Sequence, residues 1–159
     1  MKNVRLDSTS IKKDRNFTLL EWSVSQATQL TNITFDMPLY SSGHTGVAMT
    51  QGGSGTHMGD LTFNGGAVGI NMNNQQYEVT SSTFTGCHTG ILVTACFSCV
   101  LHDLRFKNSS IGIDMTPDGG HSVTLLDSAA SHVGTVVKTQ ASKAGDPVSY
   151  THLTLPTKA

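Results

Sequence analysis

The chain of 159 residues is poor in charged side chains, and this scarcity excludes several classes of partner. Asp, Glu, Lys and Arg together make up 13% of the residues, and the formal net charge is −1. Such a composition offers no basic face for the phosphates of nucleic acid and no cationic surface for an acidic membrane. We therefore expect neither nucleic acid nor a membrane among its partners.

Long apolar runs, helical patterning and numerous cysteines are missing as well. No stretch approaches the roughly 18 apolar residues of a membrane span, and no charged leader precedes an apolar run with a cleavage site. Three cysteines are too few for a disulfide scaffold, and they leave the redox compartment open. Threonine, valine, isoleucine and phenylalanine suit a pleated, half-buried surface, so we expect β-strands.

A repeat of about 22 residues organises the chain. Three units align without a gap: LTFNGGAVGINM at 61–72, STFTGCHTGILV at 82–93 and LRFKNSSIGIDM at 104–115. The repeated positions are Phe63, Phe84 and Phe106 in one column and Gly69, Gly90 and Gly112 in the other. Both columns keep intervals of 21 and 22 residues, which indicates stacked structural units rather than an ordinary sandwich.

The repeat extends in both directions. HTGVAM at 44–49 precedes the three units and HVGTVV at 132–137 follows them, so we expect Gly46 and Gly134 to keep the glycine column. The interval from Phe35 to Phe63 is 28 residues, and we expect the extra residues in the glycine-rich segment TQGGSGTHMG. This segment lacks the pattern of a phosphate-binding loop and is interpreted as part of a pocket wall.

Within each unit, apolar and polar residues alternate with the period of two that is typical of a half-buried strand. A unit of two or three short strands buries its apolar face only by stacking on its neighbours. The frame of a leucine-rich repeat is absent. We therefore predict an all-β fold, a right-handed single-stranded parallel β-helix of about six rungs over residues 1–140, with 141–147 as a truncated continuation.

Four segments resemble the N-terminal β-helix of glycoside hydrolase family 55, a family of exo-β-1,3-glucanases often described as pectate-lyase-like. They are WSVSQATQLTNITFDM at 22–37, GDLTFNGGAVGI at 59–70, NQQYEV at 74–79 and SSIGIDM at 109–115. The resemblance implies a fragment of a secreted, extracellular glycosidase that degrades β-1,3-glucan. It also implies a second β-helix domain in the same chain, with the substrate pocket between the two domains.

The resemblance further implies that the general acid, a glutamate, belongs to the missing second domain. The two glutamates of this chain, Glu21 and Glu78, lie in no matching context. An inverting glycosidase needs one carboxylic acid to protonate the leaving oxygen and a second group to hold the water. We therefore expect one wall of the pocket here, without catalysis by the chain alone.

The resemblance places the NQQ motif near the pocket. Gln75 and Gln76 are candidates for positioning water or substrate, and Asn74, Gln76 and Phe97 for binding the sugar. If Tyr77 points inward, Gln76 points to solvent, where its amide can both donate and accept hydrogen bonds. Related chains carry a tryptophan-rich run where this chain has TACFSC, so Phe97 is the stacking surface that remains.

The cysteines give no clear signal of chemistry. Cys96 and Cys99 form a single CxxC without a second half, so we expect packed thiols rather than a metal or redox site. Cys87 falls in a rung turn, in the column of Gly66 and Ser109, and is interpreted as a stacking residue.

The histidines and aspartates are the remaining candidate metal ligands. His44, His88 and His132 share a column but lie two rungs apart, about 10 Å, which predicts a solvent-facing series rather than a metal site. The three aspartates that could bind calcium, Asp60, Asp103 and Asp114, are not expected to converge. We expect no metal and no cofactor.

The C-terminal segment VSYTHLTLPT at 148–157 is expected to break the rung pattern. It resembles one reading frame of a transposase adapter used in sequencing-library preparation, and residues 148–159 are interpreted as not native. Two alternatives to the glucanase remain open. One is a β-helix of a pectin-type hydrolase or lyase, and the other is a non-catalytic carbohydrate-binding or structural β-helix.

Overall fold

The computed structural model describes residues 1–51, 54–117, 121–140 and 148–151, and the side chains of Asn74, His121 and 148–151 lie outside this description. The described residues form twelve strands and no helix. The strands are β1 (Lys2–Asp7), β2 (Phe17–Glu21), β3 (Gln29–Asp36), β4 (His44–Met49), β5 (Thr56–Asn64), β6 (Val68–Thr80), β7 (Thr83–Thr85), β8 (Thr89–His102), β9 (Arg105–Met115), β10 (His121–Leu126), β11 (Ala129–Thr139) and β12 (Val148–Thr151). No helix long and apolar enough to cross a bilayer occurs in this part of the chain.

All strand pairings are parallel, and each rung contributes to three faces. The first face stacks β1, β3, β5, β7, β9 and β11 in that order, which gives six rungs. The second face stacks β2, β4 and the starts of β6 and β8, and the third face stacks the start of β5, the ends of β6 and β8, and β10. Because the longer strands turn a corner between faces, β6 pairs with β4 at its start and with β5 at its end. The predicted all-β fold with a parallel β-helix is therefore confirmed.

The phenylalanines of the first face form a continuous internal stack. Ring centroids lie 4.6 Å apart for Phe35 and Phe63, 4.8 Å for Phe63 and Phe84, and 5.0 Å for Phe84 and Phe106. All four rings are fully buried. Because parallel strands are spaced by about 4.8 Å, the rung repeat itself sets the distance between the rings.

A glycine lies beside these rings on the second face because no side chain fits there. A Cβ at Gly69 would lie 2.8 Å from a ring carbon of Phe84 and 2.6 Å from the carbonyl oxygen of Gly90. Gly46 and Gly90 face the ring of the following rung in the same way. The two columns of the sequence are thus one packing arrangement.

The corner between the third and first faces is turned by one residue per rung with positive φ. These residues are Asn3, Asn32, Asp60, Ser81, Asp103 and Asp127, with φ between 45° and 58°. Asparagine and aspartate tolerate the left-handed region better than most side chains, which explains their frequency in this column. The column is not apparent in the sequence because its residue type changes from rung to rung.

The last rung departs from the predicted register. Gly112 lies beside Val136, so Gly134 does not continue the glycine column, and that prediction is wrong. His132 has a φ of 55° and stands next to Asn108, whose φ is 50°, at the corner between the first and second faces. The left-handed corner fixes the register of this rung, and it places His132 two positions away from the predicted histidine column.

The extra residues of the second rung lie mainly in a loop at the same corner. Eight residues, 37–44, occupy the place of three in the following rung. Between β4 and β5, six residues occupy the place of four. The expectation that the glycine-rich segment 50–59 holds the insertion is therefore wrong for five of the seven extra residues, which lie in the segment 37–44.

Candidate functional site

A groove on the third face contains the glutamine predicted to act on water or sugar. Its volume is about 320 Å³, and Gln76 lines it together with Gly55, His57, Glu78 and Ser98. We call it the Gln76 groove. Gly55 and His57 belong to the glycine-rich segment 50–59, which the sequence predicts to be part of a pocket wall.

The alternation of β6 positions the side chains of this groove. Tyr77 is buried in the core, so its neighbours Gln76 and Glu78 point outward, as the sequence predicted for Gln76. Gln76 pairs with Ser98 in β8, which places an amide and a hydroxyl side by side on neighbouring rungs. Both groups can donate and accept hydrogen bonds, which suits them to a water molecule or a sugar hydroxyl.

Phe97 supplies an apolar surface next to these polar groups. The register of β6 and β8 places Gln75 opposite Phe97, and both side chains are exposed. The next rung has one residue fewer here, because β10 pairs with β8 through a bulge. Phe97 is 69% exposed, so its ring is free to stack on the apolar face of a sugar.

Phe97 lies inside a small disulfide ring, which corrects the prediction of packed thiols. Cys96 and Cys99 are bonded, with their Cα atoms 6.1 Å apart, and both are buried. Two residues three apart in a regular strand point to opposite sides, so the strand must bulge for both cysteines to point inward. Cys87 is a free buried thiol in the column of Gly66 and Ser109, as predicted.

Neither glutamate has the environment of a general acid. Hydrogen bonds donated by the hydroxyls of Ser23 and Thr50 hold the pKa of Glu21 below its usual value, so Glu21 stays ionised. Glu78 lies in the groove, with its Oε2 3.0 Å from Nδ1 of His57, and both side chains are partly exposed. Both glutamates are exposed, whereas a general acid lies in an apolar site whose burial raises its pKa.

The His57 and Glu78 pair was not identified from the sequence. Their side chains meet across β5 and β6, which pair in register at this point. Strand alternation alone predicts that Glu78 points outward, because it is next to the inward Tyr77. No column of repeated residue types marks Glu78 or His57. Ser98 was not predicted either, because no repeated residue type marks its column.

The three histidines considered as a series have different environments. His88 and His132 are exposed, but His44 is fully buried. Nδ1 of His44 lies 2.9 Å from Oγ of Ser8, and Nε2 lies 3.0 Å from the carbonyl oxygen of Lys12. Since a carbonyl only accepts, Nε2 donates to Lys12. The prediction of a solvent-facing series is therefore wrong for His44, which fastens the loop between β1 and β2.

The candidate metal ligands remain apart. In the ranges that the structure describes, no three His, Cys, Asp or Glu side chains are close enough to hold an ion. Asp60 and Asp103 turn corners two rungs apart, and Asp114 lies on the second face. Burial raises the pKa of Asp114, but hydrogen bonds from Thr116 and the ammonium group of Lys138 outweigh it and lower the pKa below its usual value.

Two other predictions fall partly outside the described residues. The side chain of Asn74 is not described, although its backbone pairs with Cys96. The segment Val148–Thr151 forms β12 and pairs in register with β10, so these four residues do not break the rung pattern as expected. Residues 152–159 lie outside the description, and the origin of the tail stays a prediction.

Comparison with known proteins agrees with the fold and with the resemblance. Residues 1–143 match the family described as rhamnogalacturonase A/epimerase, pectate lyase-like. The chain is 31% identical over 135 residues to a probable glucan endo-1,3-beta-glucosidase of Arthroderma benhamiae, with 80% of this chain and 15% of that protein covered. It is 25% identical over 154 residues to a glucan 1,3-beta-glucosidase of Cochliobolus carbonum, with 92% and 19% covered.

A third relative has a different description. The non-secreted LysM effector LysM19 of Penicillium expansum is 30% identical over 149 residues, with 92% of this chain and 11% of that protein covered. The chain thus spans less than a fifth of the length of these curated relatives. The predicted relation to pectate-lyase-like glucan hydrolases is confirmed, and the chain belongs to the rhamnogalacturonase A/epimerase, pectate lyase-like family.

Proposed function

We propose that the chain forms one wall of the substrate site of a β-1,3-glucan hydrolase. The observation that carries the proposal is the outward pair of Gln76 and Ser98 beside the exposed ring of Phe97. An amide and a hydroxyl can hold a water or a sugar hydroxyl, while the ring packs on the C–H face of the sugar. The glucan-hydrolase relatives support β-1,3-glucan as the polysaccharide.

The general acid of this hydrolase belongs to a second β-helix domain in the same chain. The ionised state of Glu21 and the exposed pairing of Glu78 with His57 support this assignment. Gln76 and Gln75 position the water or the substrate, and Asn74 and Phe97 contribute to binding. The 159-residue chain is accordingly inactive by itself.

The hydrolase acts outside the cell. A buried disulfide, Cys96–Cys99, supports this location because such bonds persist in oxidising compartments. One relative is named as a non-secreted effector, which favours a location inside the cell. Fractionation of the producing cells measures the compartment of this protein. Recovery of the protein from the cell interior alone would contradict an extracellular role.

The direct test uses the completed coding sequence. The whole protein is expected to release glucose from laminarin, while the 159-residue chain releases none. Replacing Gln76 by Ala should lower kcat by roughly tenfold to a hundredfold, the usual effect of misplacing a reacting group. Gln140→Ala is the matched control. The side-chain amide of Gln140, on the last rung, donates to the carbonyl oxygen of Thr116 and lies outside the groove. Glucose release by the 159-residue chain would disprove the proposal that the general acid belongs to a second domain.

A pectin-type activity is the second candidate, and the description of the matching family favours it. Cleavage of polygalacturonate or rhamnogalacturonan by the whole protein, without action on laminarin, would establish this reading in place of the first. Absence of cleavage on all three polysaccharides, with saccharide binding intact, would identify a non-catalytic binding module.

A further inference from the structure

A second groove lies at the corner between the first and second faces. Its volume is about 390 Å³, within the range of roughly 300–1,000 Å³ that small-molecule sites occupy. The residues that line it include Tyr40, Ala67, Cys87, His88, Asn108 and Ser110. It shares none of its lining with the Gln76 groove, and we call it the corner groove.

One wall of the corner groove is the inserted loop 37–44. The loop can lie against the rungs because the corner residues beneath it have no side chains. A Cβ at Gly65 would lie 2.3 Å from the carbonyl oxygen of Met37, and one at Gly86 would lie 3.0 Å from a methyl group of Leu39. The insertion therefore adds a wall to this corner.

The loop is fastened beyond its tip. Oγ of Ser41 donates to the carbonyl oxygen of Lys13 at 2.7 Å and accepts from the backbone N–H of His44 at 3.0 Å. Tyr40 is thereby held at a φ of 55° with 86% of its surface exposed. An aromatic residue in the left-handed region is unfavourable, and strained backbone of this kind clusters at active sites and ligand clamps.

The opposite wall offers neutral polar groups. The side-chain amide of Asn108 and the side-chain hydroxyl of Ser110 have no hydrogen-bond partner among the described residues, and both side chains are exposed. His88 contacts Oγ1 of Thr89 at 3.3 Å through Nδ1 alone within the same residues. Each of these groups can donate or accept a hydrogen bond.

The groove carries no fixed charge. None of the described residues that line it is Asp, Glu, Lys or Arg. Burial raises the pKa of the Cys87 thiol to about 12, so this thiol also stays neutral. A charged ligand such as a polyuronate or a phosphate would find no Lys or Arg among the lining residues, whereas a neutral polyhydroxylated ligand needs none.

We propose that the corner groove is a second saccharide-binding site, which holds a neutral sugar unit between the ring of Tyr40 and the polar side chains of His88, Asn108 and Ser110. The ring packs on the C–H face of the sugar, and the amide, imidazole and hydroxyl bind its hydroxyls. The site holds a glucan chain without acting on it. It is independent of the Gln76 groove, and it exists whether or not that groove belongs to a glucanase.

The test is a titration of the 159-residue chain with laminaritetraose, followed by NMR of the backbone amides. We expect saturable shifts at Gly86, His88 and Asn108. Tyr40→Ala should weaken the binding at these amides about tenfold, as loss of a stacked ring does. Phe97→Ala is the matched control, because it removes an exposed ring that does not line the corner groove and should leave these shifts unchanged.

Three results would overturn the proposal. One is the absence of shifts at the corner groove when the Gln76 groove binds the sugar, which refutes the second site without touching the proposed function. Another is equal or tighter binding of tetragalacturonate at the corner groove, which refutes selection of a neutral ligand. The last is a concentration-dependent shift of these amides without sugar, which would assign the groove to contact with a second copy of the chain.

Discussion

The phenylalanine stack and the glycine column should be energetically coupled, and a double-mutant cycle measures the coupling. Replacing Phe84 by Ala removes a fully buried ring that stacks on Phe63 at 4.8 Å and on Phe106 at 5.0 Å. Loss of a buried phenylalanine costs about 3–5 kcal/mol of unfolding free energy. This is a large part of the roughly 5–15 kcal/mol that stabilises an ordinary domain.

The partner change is Gly69→Ala. The added Cβ would lie 2.8 Å from the ring of Phe84 and 2.6 Å from the carbonyl oxygen of Gly90, so the backbone or the ring must move. Overpacking of this kind costs about 1–3 kcal/mol. In the absence of the ring one of the two clashes disappears, and we expect the cost of Gly69→Ala to fall by about 1 kcal/mol.

Urea denaturation followed by far-ultraviolet circular dichroism gives the four free energies of unfolding. Gly112→Ala is the matched control, because its Cβ would meet the carbonyl oxygen of Val136 at 2.6 Å but no ring closer than 3.5 Å. This control should combine additively with Phe84→Ala. If Gly69→Ala and Phe84→Ala also combine additively, within about 0.3–0.5 kcal/mol, the ring does not exclude a side chain at Gly69 and the reasoning fails.

Three further predictions concern single groups. Asp114→Asn should destabilise the chain more at neutral pH than at pH 3. The pKa of Asp114 is depressed in the fold, so its carboxylate stabilises the fold above the unfolded-state pKa near 3.8, and this stabilisation is lost as the pH falls. Destabilisation that does not depend on pH would contradict the prediction. Denatured without reductant, the chain should titrate one thiol, that of Cys87, whereas three thiols would exclude the disulfide. His44→Ala should speed tryptic cleavage at Lys12, because the imidazole fastens this loop, and unchanged cleavage would show that it does not.

The sequence predicted the stacked rungs because their packing requires repeated residue types. A ring of fixed size and a missing Cβ recur from rung to rung, so the sequence alone assigns Phe84 and Gly69 to their columns. The corner residues obey a backbone requirement instead, which Asn3, Ser81 and Asp103 all satisfy. Residue identity therefore conceals the column that sets the register.

The mistaken register of the last rung follows from the same difference. Gly134 was aligned by its residue type, whereas the left-handed φ of His132 fixes the corner. The burial of His44 was not predictable from its column, because it depends on a loop whose path the repeat does not specify. The Cys96–Cys99 bond depends on a bulge, which alternation of residue types does not reveal.

The candidate site was predictable only where strand alternation decides it. The inward Tyr77 places Gln76 outside, and this was expected from the sequence. The pairing of Glu78 with His57 depends on which residues the register brings opposite each other. That register includes two extra residues between β4 and β5, which no single rung of the sequence reveals.

The most direct test of the central claim compares two tetrasaccharides on the Gln76 groove. Laminaritetraose should shift the backbone amides of Gln75, Gln76 and Ser98, and Phe97→Ala should weaken that binding about tenfold. Tetragalacturonate should bind there more weakly. Tighter binding of tetragalacturonate at these residues, or no shift with laminaritetraose, would contradict the assignment of this face to β-1,3-glucan.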